Sequence, residues 1–119
     1  MSDHIRIYHN PNCPSSKHAV RIAEELGVDA EIIVYQKTPP DRATLLWIAE
    51  HLEDPVADLV RKDSLFKKLE LNPDDYTSPE AVADLLAEHK MLLQRPVIVR
   101  GDRAIIGRPK ERITELLGS

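Results

Sequence analysis

The stretch Ile5-Arg6-Ile7-Tyr8-His9-Asn10-Pro11-Asn12-Cys13-Pro14 passes from strand to helix through a tight turn. Ile5 to Tyr8 alternates apolar and polar side chains with period two, which predicts a half-buried strand. His9 to Asn12 reads as a turn, because asparagine favours turn geometry and proline removes a ladder donor. Pro14 suits the first turn of a helix, where its missing N–H leaves no bond unmade. Ala19, Ile22, Ala23 and Leu26 then recur at i, i+3, i+4 and i+7, and Gly27 supplies the stop. Cys13 therefore falls at or beside the N-cap of the first helix.

Working outward, Glu31-Ile32-Ile33-Val34-Tyr35 is a short β-branched run placed to pair parallel with the first strand through a right-handed crossover. Pro39-Pro40 breaks the chain, and Asp41 caps a helix whose Leu45, Ile48, Ala49 and Leu52 share a face. Asp54-Pro55 reads as another cap with proline at the first helical position, opening a short helix through Arg61, with a further one from Ser64 to Leu69. Thr77-Ser78-Pro79-Glu80 reads as a capping box on Thr77, followed by the buried stripe Val82, Leu85 and Leu86. Val97 to Arg100, a Gly101-Asp102 turn and Ala104 to Ile106 predict an antiparallel hairpin. Gly107-Arg108-Pro109 then opens a closing helix through Leu117. The order βαβ, helices, ββα predicts an α/β fold: a mixed four-stranded sheet flanked by helices, resembling the thioredoxin-like arrangement, with a helical insertion between its halves.

A chain of 119 residues, 42% hydrophobic and 30% charged, with no linker, low-complexity tract or repeat, is expected to form one domain over 1–119. The net charge of -4 argues against broad attraction to nucleic acid or an anionic membrane, although a local arginine cluster still suits a small anion. The N-terminal Met1-Ser2-Asp3-His4-Ile5-Arg6 lacks the apolar run of a signal peptide, and no stretch reaches membrane-spanning length, so a cytoplasmic protein is expected. One cysteine excludes an intramolecular disulfide. Its thiol is either inert packing or a group whose oxidised form another molecule must resolve.

A thiol at a helix N-terminus meets unpaired backbone N–H groups and the positive end of the helix dipole, both favouring thiolate. The strand-turn-helix context is expected to expose the Cys13 sulfur, which favours a nucleophile over a buried hydrophobe. Ser16 makes the motif Cys-x-x-Ser, with a hydroxyl able to donate to a thiolate and unable to form a disulfide. His9 either lowers the thiol pKa as imidazolium or finishes the strand. Asn10 reads as a turn former, and Lys17 as either a charge near the helix start or part of a solvated face. Arg61, Arg95 and Arg108 sit at element edges, two of them directly before proline. Periodicity cannot converge them, but three guanidinium forks around one cysteine would hold a tetrahedral oxyanion.

The segment Tyr8-His9-Asn10-Pro11-Asn12-Cys13-Pro14-Ser15-Ser16-Lys17, together with Leu59-Val60-Arg61-Lys62, Gln94-Arg95-Pro96-Val97-Ile98-Val99 and Ile106-Gly107-Arg108-Pro109, resembles the glutaredoxin-coupled arsenate reductase (ArsC) family across essentially the whole chain. The resemblance implies that Cys13 attacks arsenate to give a thioarsenate adduct, with Arg61, Arg95 and Arg108 binding the oxyanion. It further implies that glutathione, as co-substrate, attacks the adduct, that glutaredoxin reduces the glutathionylated intermediate, and that arsenite leaves. External resolution agrees with the single cysteine. Neither a metal nor a bound organic cofactor is implied, and a monomer is expected. Arg95-Pro96 resembles the family's cis-proline beside the active site. Lys17 stands where the family usually carries arginine, keeping the charge but losing the fork.

Two other functions fit the same residues. One is a thiol oxidoreductase or deglutathionylating enzyme that uses Cys13 on another substrate. The other is an RNA polymerase-binding regulator of the Spx type, which resembles this fold. Those regulators commonly carry Cys-x-x-Cys, and Ser16 argues against a disulfide switch here.

Overall fold

The computed structural model describes residues 4–118. Met1, Ser2 and Asp3, which entered the N-terminal reading above, and Ser119 lie outside the described residues. Strand β1 (Ile5–His9) leads into helix α1 (Pro14–Leu26), strand β2 (Ala30–Val34) and helix α2 (Arg42–His51). An insertion follows, made of a 3-10 turn at Val56–Leu59, helix α3 (Ser64–Lys68), a 3-10 turn at Pro73–Asp75, helix α4 (Pro79–Glu88) and a 3-10 turn at Lys90–Leu92. The chain closes with β3 (Val97–Arg100), β4 (Arg103–Ile106) and α5 (Glu111–Leu117).

The sheet order is β2-β1-β3-β4, with β1 parallel to β2 and antiparallel to β3, and β3 antiparallel to β4. This is the expected mixed four-stranded α/β arrangement. Period-two alternation divides the core cleanly between the two faces. Ile5 and Ile7 of β1, Ile98 of β3 and Ile105 of β4 turn one way, onto Ala19 and Ile22 of α1 and Ile113 and Leu116 of α5. Tyr8, Val97, Val99, Ala104 and Ile106 turn the other way, onto Leu45 and Ile48 of α2, Val82 and Leu86 of α4, and Leu59 and Phe66 of the insertion. Ile7 pairs with Ile98 and Ile98 with Ile105, so one buried row crosses three strands. Each such isoleucine contributes about 1.5–3 kcal/mol by leaving water.

Local signals explain most boundaries. Gly27 takes the left-handed conformation at φ 69° and closes α1, its N–H on Glu24 and that of Val28 on Ala23. The Asp41 carboxylate accepts the Thr44 N–H at 2.8 Å and opens α2. Other expectations need correction: β2 ends at Val34, before Tyr35, and the short helix read through Arg61 is a 3-10 turn that ends at Leu59. His9 belongs to β1, because it still pairs with Val34. Asp54 caps nothing: its carboxylate is drawn to the Ile106 N–H and to Arg112, and the short turn starts after Pro55. Ser78, not Thr77, caps α4, since its Oγ accepts the Ala81 N–H while Pro79 takes the first helical position. The closing helix starts at Glu111, after Pro109 rather than on it. Among the described residues no helix is long and apolar enough to cross a membrane.

Candidate active site

Cys13 occupies the N-cap of α1 in extended conformation (φ -110°, ψ 120°), where the fold of the turn places it. Asn10 builds that turn: its Oδ1 accepts the Asn12 N–H at 2.9 Å and its carbonyl accepts the Cys13 N–H at 3.0 Å. The turn-forming role read for Asn10 is the one it plays. The sulfur is not exposed as expected, for Cys13 retains only 8% of its surface. Strand, turn and two arginines close over it. Burial is the largest influence on the thiol and opposes ionisation. The backbone N–H of Ser16, the Arg95 side chain, the backbone N–H of Ser15 and the charge of Arg108 together outweigh it and hold the thiol below its ordinary value.

Ser16 serves the sulfur through its backbone, not its hydroxyl. Its fully buried Oγ accepts the Asn10 N–H at 2.9 Å and shares a 2.7 Å hydrogen bond with His9 Nδ1. Burial lowers the His9 pKa most, the Ser16 backbone works the other way, and the nearby charge of Lys17 lowers it further. The lowered pKa disfavours an imidazolium, and His9 joins the strand end to the helix start through Ser16. Lys17 is exposed, its N–H closing the first turn on the Cys13 carbonyl.

The structure brings two of the three arginines to the sulfur. Arg108 donates Nη2 to Cys13 Sγ at 3.5 Å and Nε to the Arg95 carbonyl at 2.9 Å. Arg95 donates Nη1 to the Tyr35 hydroxyl at 3.4 Å, and its buried Nε has no partner among the described residues. A buried donor left unsatisfied is a place for an incoming oxygen acceptor. Arg61 pairs with Asp63 at 3.2 Å, the same carboxylate that caps α3. Its backbone pairs with Leu92 next to the segment that delivers Arg95. Pro96 follows a cis peptide bond, and so does Pro109, a second one that no sequence feature announced. The Pro96 carbonyl accepts the Gly107 N–H at 2.9 Å, tying the two proline segments together.

Arg108 stands between two clefts. One, of about 450 Å³, is lined by Pro14, Ser15, His18, Gly107, Arg108, Pro109 and Lys110. The other, of about 350 Å³, includes Asp54, Asp58, Lys62, Gln94 and Arg108. Among the described residues, no group of three His, Cys, Asp or Glu side chains is arranged to hold a metal ion. Sequence reasoning missed Tyr35, which ran on from a strand-like segment, and Asp54 and Arg112, whose partners lie far away along the chain. Only the Asp-Pro pair drew attention to Asp54, and it suggested a cap.

The arrangement suits a sulfur nucleophile receiving an oxyanion, and comparison with known proteins points the same way. The model of the ArsC family matches residues 8–116. An arsenate reductase of Neisseria meningitidis is 37% identical over 115 residues, covering 95% of this chain and 97% of its own. An uncharacterised protein of Escherichia coli K12, YfgD, is 36% identical over 120 residues, covering 99% and 100% respectively. The solved arsenate reductase of Vibrio cholerae superposes with a TM-score of 0.83 at 32% identity, covering 97% of this chain and 98% of that one. With the family pattern matched from Tyr8 to Leu116 and full-length relatives at this identity, the chain belongs to the ArsC family.

Proposed function

We propose that this protein is an arsenate reductase of the cytosol, acting as a one-domain monomer with Cys13 as its single nucleophile and no bound cofactor. The observation that carries the reading is the convergence of Arg95 and Arg108 on a buried thiol held below its ordinary pKa. In the first step the Cys13 thiolate attacks arsenic(V) and an oxygen leaves as water after protonation, giving a Cys13–S–As adduct. The thiol of glutathione then attacks the Cys13 sulfur. The S–As electron pair passes to arsenic, which leaves as arsenite(III), and a Cys13–glutathione disulfide forms. Two thiols lose two electrons and arsenic gains them. Glutaredoxin attacks the glutathione sulfur and releases the Cys13 thiol.

Arg95 and Arg108 would hold arsenate oxygens by charge-assisted hydrogen bonds and stabilise charge developing on them. Arg61 would join them after exchanging Asp63 for the anion. The cleft between Ser15 and Lys110 shares Arg108 with the attacking sulfur and would receive the tripeptide thiol. The Cys13→Ser variant tests the reading. It should fold normally and produce no arsenite with glutathione and glutaredoxin present; retained production would refute the assignment.

A second reading, reduction of glutathione mixed disulfides by the same cysteine, is favoured by the pairing of Arg61 with Asp63. That pairing occupies one of the three guanidinium groups that the oxyanion reading uses. Steady-state comparison of arsenate with a glutathionylated peptide separates the two.

A further inference from the structure

The peptide groups of Ile106, the last residue of β4, are gripped by two charged side chains that take no part in the chemistry above. Asp54 Oδ2 accepts the Ile106 N–H at 3.0 Å. Arg112, in the first turns of α5, donates Nη1 to the Ile106 carbonyl at 3.0 Å and also pairs with Asp54 Oδ1. The Arg108 N–H donates to the same carbonyl at 2.8 Å. The Asp54 and Arg112 side chains are only 17% and 25% exposed, so this ion pair is better shielded than a freely solvated one.

We propose that Asp54 and Arg112 form a clamp that positions Arg108 for its contact with Cys13. Only Gly107 separates the gripped peptide from Arg108, and glycine alone does little to fix the direction of the chain. Gly107 is held in turn by the Pro96 carbonyl, so the path from β4 to the guanidinium is fixed at Ile106 and at Gly107. Asp54 holds the N–H of the peptide before Ile106 and Arg112 the C=O of the peptide after it, so charge-assisted bonds fix two successive peptide planes. The contact they serve is long, 3.5 Å from Nη2 to Sγ, and a drift of about an ångström would remove it. Asp54 comes from the loop after α2 and Arg112 from α5, so the clamp makes the placement of an active-site cation depend on the docking of α5 and the insertion.

The proposal rests on the reading of Arg108 as a cation acting on Cys13, and one experiment separates the two. The rate of Cys13 alkylation by iodoacetamide is followed against pH in the full chain, in Arg108→Ala, in Asp54→Asn and in the double variant. Arg108→Ala should raise the apparent thiol pKa by about one unit. Asp54→Asn should raise it by roughly half as much, and should add nothing once Arg108 is gone. Amide exchange at Ile106 should quicken in Asp54→Asn. If Arg108→Ala leaves the titration unmoved, the reading of Arg108 falls and the clamp with it. If Arg108→Ala moves it and Asp54→Asn does not, or moves it equally with Arg108 absent, the clamp alone is refuted. Arg112→Met keeps the apolar stem and runs the same cycle should Asp54→Asn fail to fold, with the same outcomes for and against.

Discussion

At the residue scale, Cys13 shows how position and surroundings pull against each other. Burial alone would make it an inert thiol, while the N–H groups of Ser15 and Ser16 and two guanidinium groups reverse that outcome. His9 supports the same turn from behind, and its depressed pKa has a measurable consequence. The unfolded chain binds a proton at His9 near pH 6.5, whereas the folded chain resists it to lower pH. Stability from this group is therefore full above about pH 6.5 and declines as the pH falls through that value toward the folded pKa. His9→Gln should flatten that part of the stability profile, read as urea midpoints from pH 7.5 down to 5; an unchanged slope would place the acid sensitivity elsewhere. Removing the Ser16 hydroxyl is costlier. Ser16→Ala strips a partner from the buried Asn10 N–H and from His9, and should destabilise by about 1–3 kcal/mol in the same denaturation series. A loss well under that range would mean water replaces the hydroxyl.

At the scale of elements, the site lies where the β1–α1 turn meets two proline-bearing segments, and those segments nearly touch. A Cβ on Gly107 would stand 2.8 Å from Pro96 Cγ and 3.1 Å from Ile113 Cγ1. Gly107→Ala should therefore force the segments apart, costing about 1–3 kcal/mol and slowing Cys13 alkylation at neutral pH as Arg108 moves off the sulfur. Normal stability and alkylation in that variant would show that the two segments separate freely. The β1–α1 unit and the hairpin were legible in the sequence because their signals are local: alternation, Pro14, Gly27 and Gly101-Asp102. What stayed hidden depends on partners distant in sequence. Asp54-Pro55 looks the same whether its carboxylate caps a helix or reaches Arg112, and Ser16 looks the same whether its hydroxyl faces the sulfur or His9. Arg61, Arg95 and Arg108 were all named, and Asp63, two residues after Arg61, was the local signal for its ion pair that the reading did not use.

At the scale of the whole molecule, the proposed function makes the protein one part of a chemical relay, because a single cysteine needs reducing equivalents from outside. The cleft of about 450 Å³ beside Arg108 has Lys110 and His18 in its walls and no carboxylate among its lining residues. Glutathione carries two carboxylates, so Lys110→Glu should raise its KM several-fold, on the order of a rim charge reversal, while leaving the KM for arsenate nearly unchanged. Equal effects on both substrates would show that this cleft does not serve glutathione in particular. The relay itself is tested most directly by incubating the protein with arsenate and glutathione, without glutaredoxin, and weighing the intact chain by mass spectrometry. The account predicts one arsenite released per chain and one glutathione attached at Cys13, with turnover beginning only when glutaredoxin is added. Arsenite formed with Cys13 unmodified and no need for glutaredoxin, or glutathione attached with no arsenite formed, would contradict it.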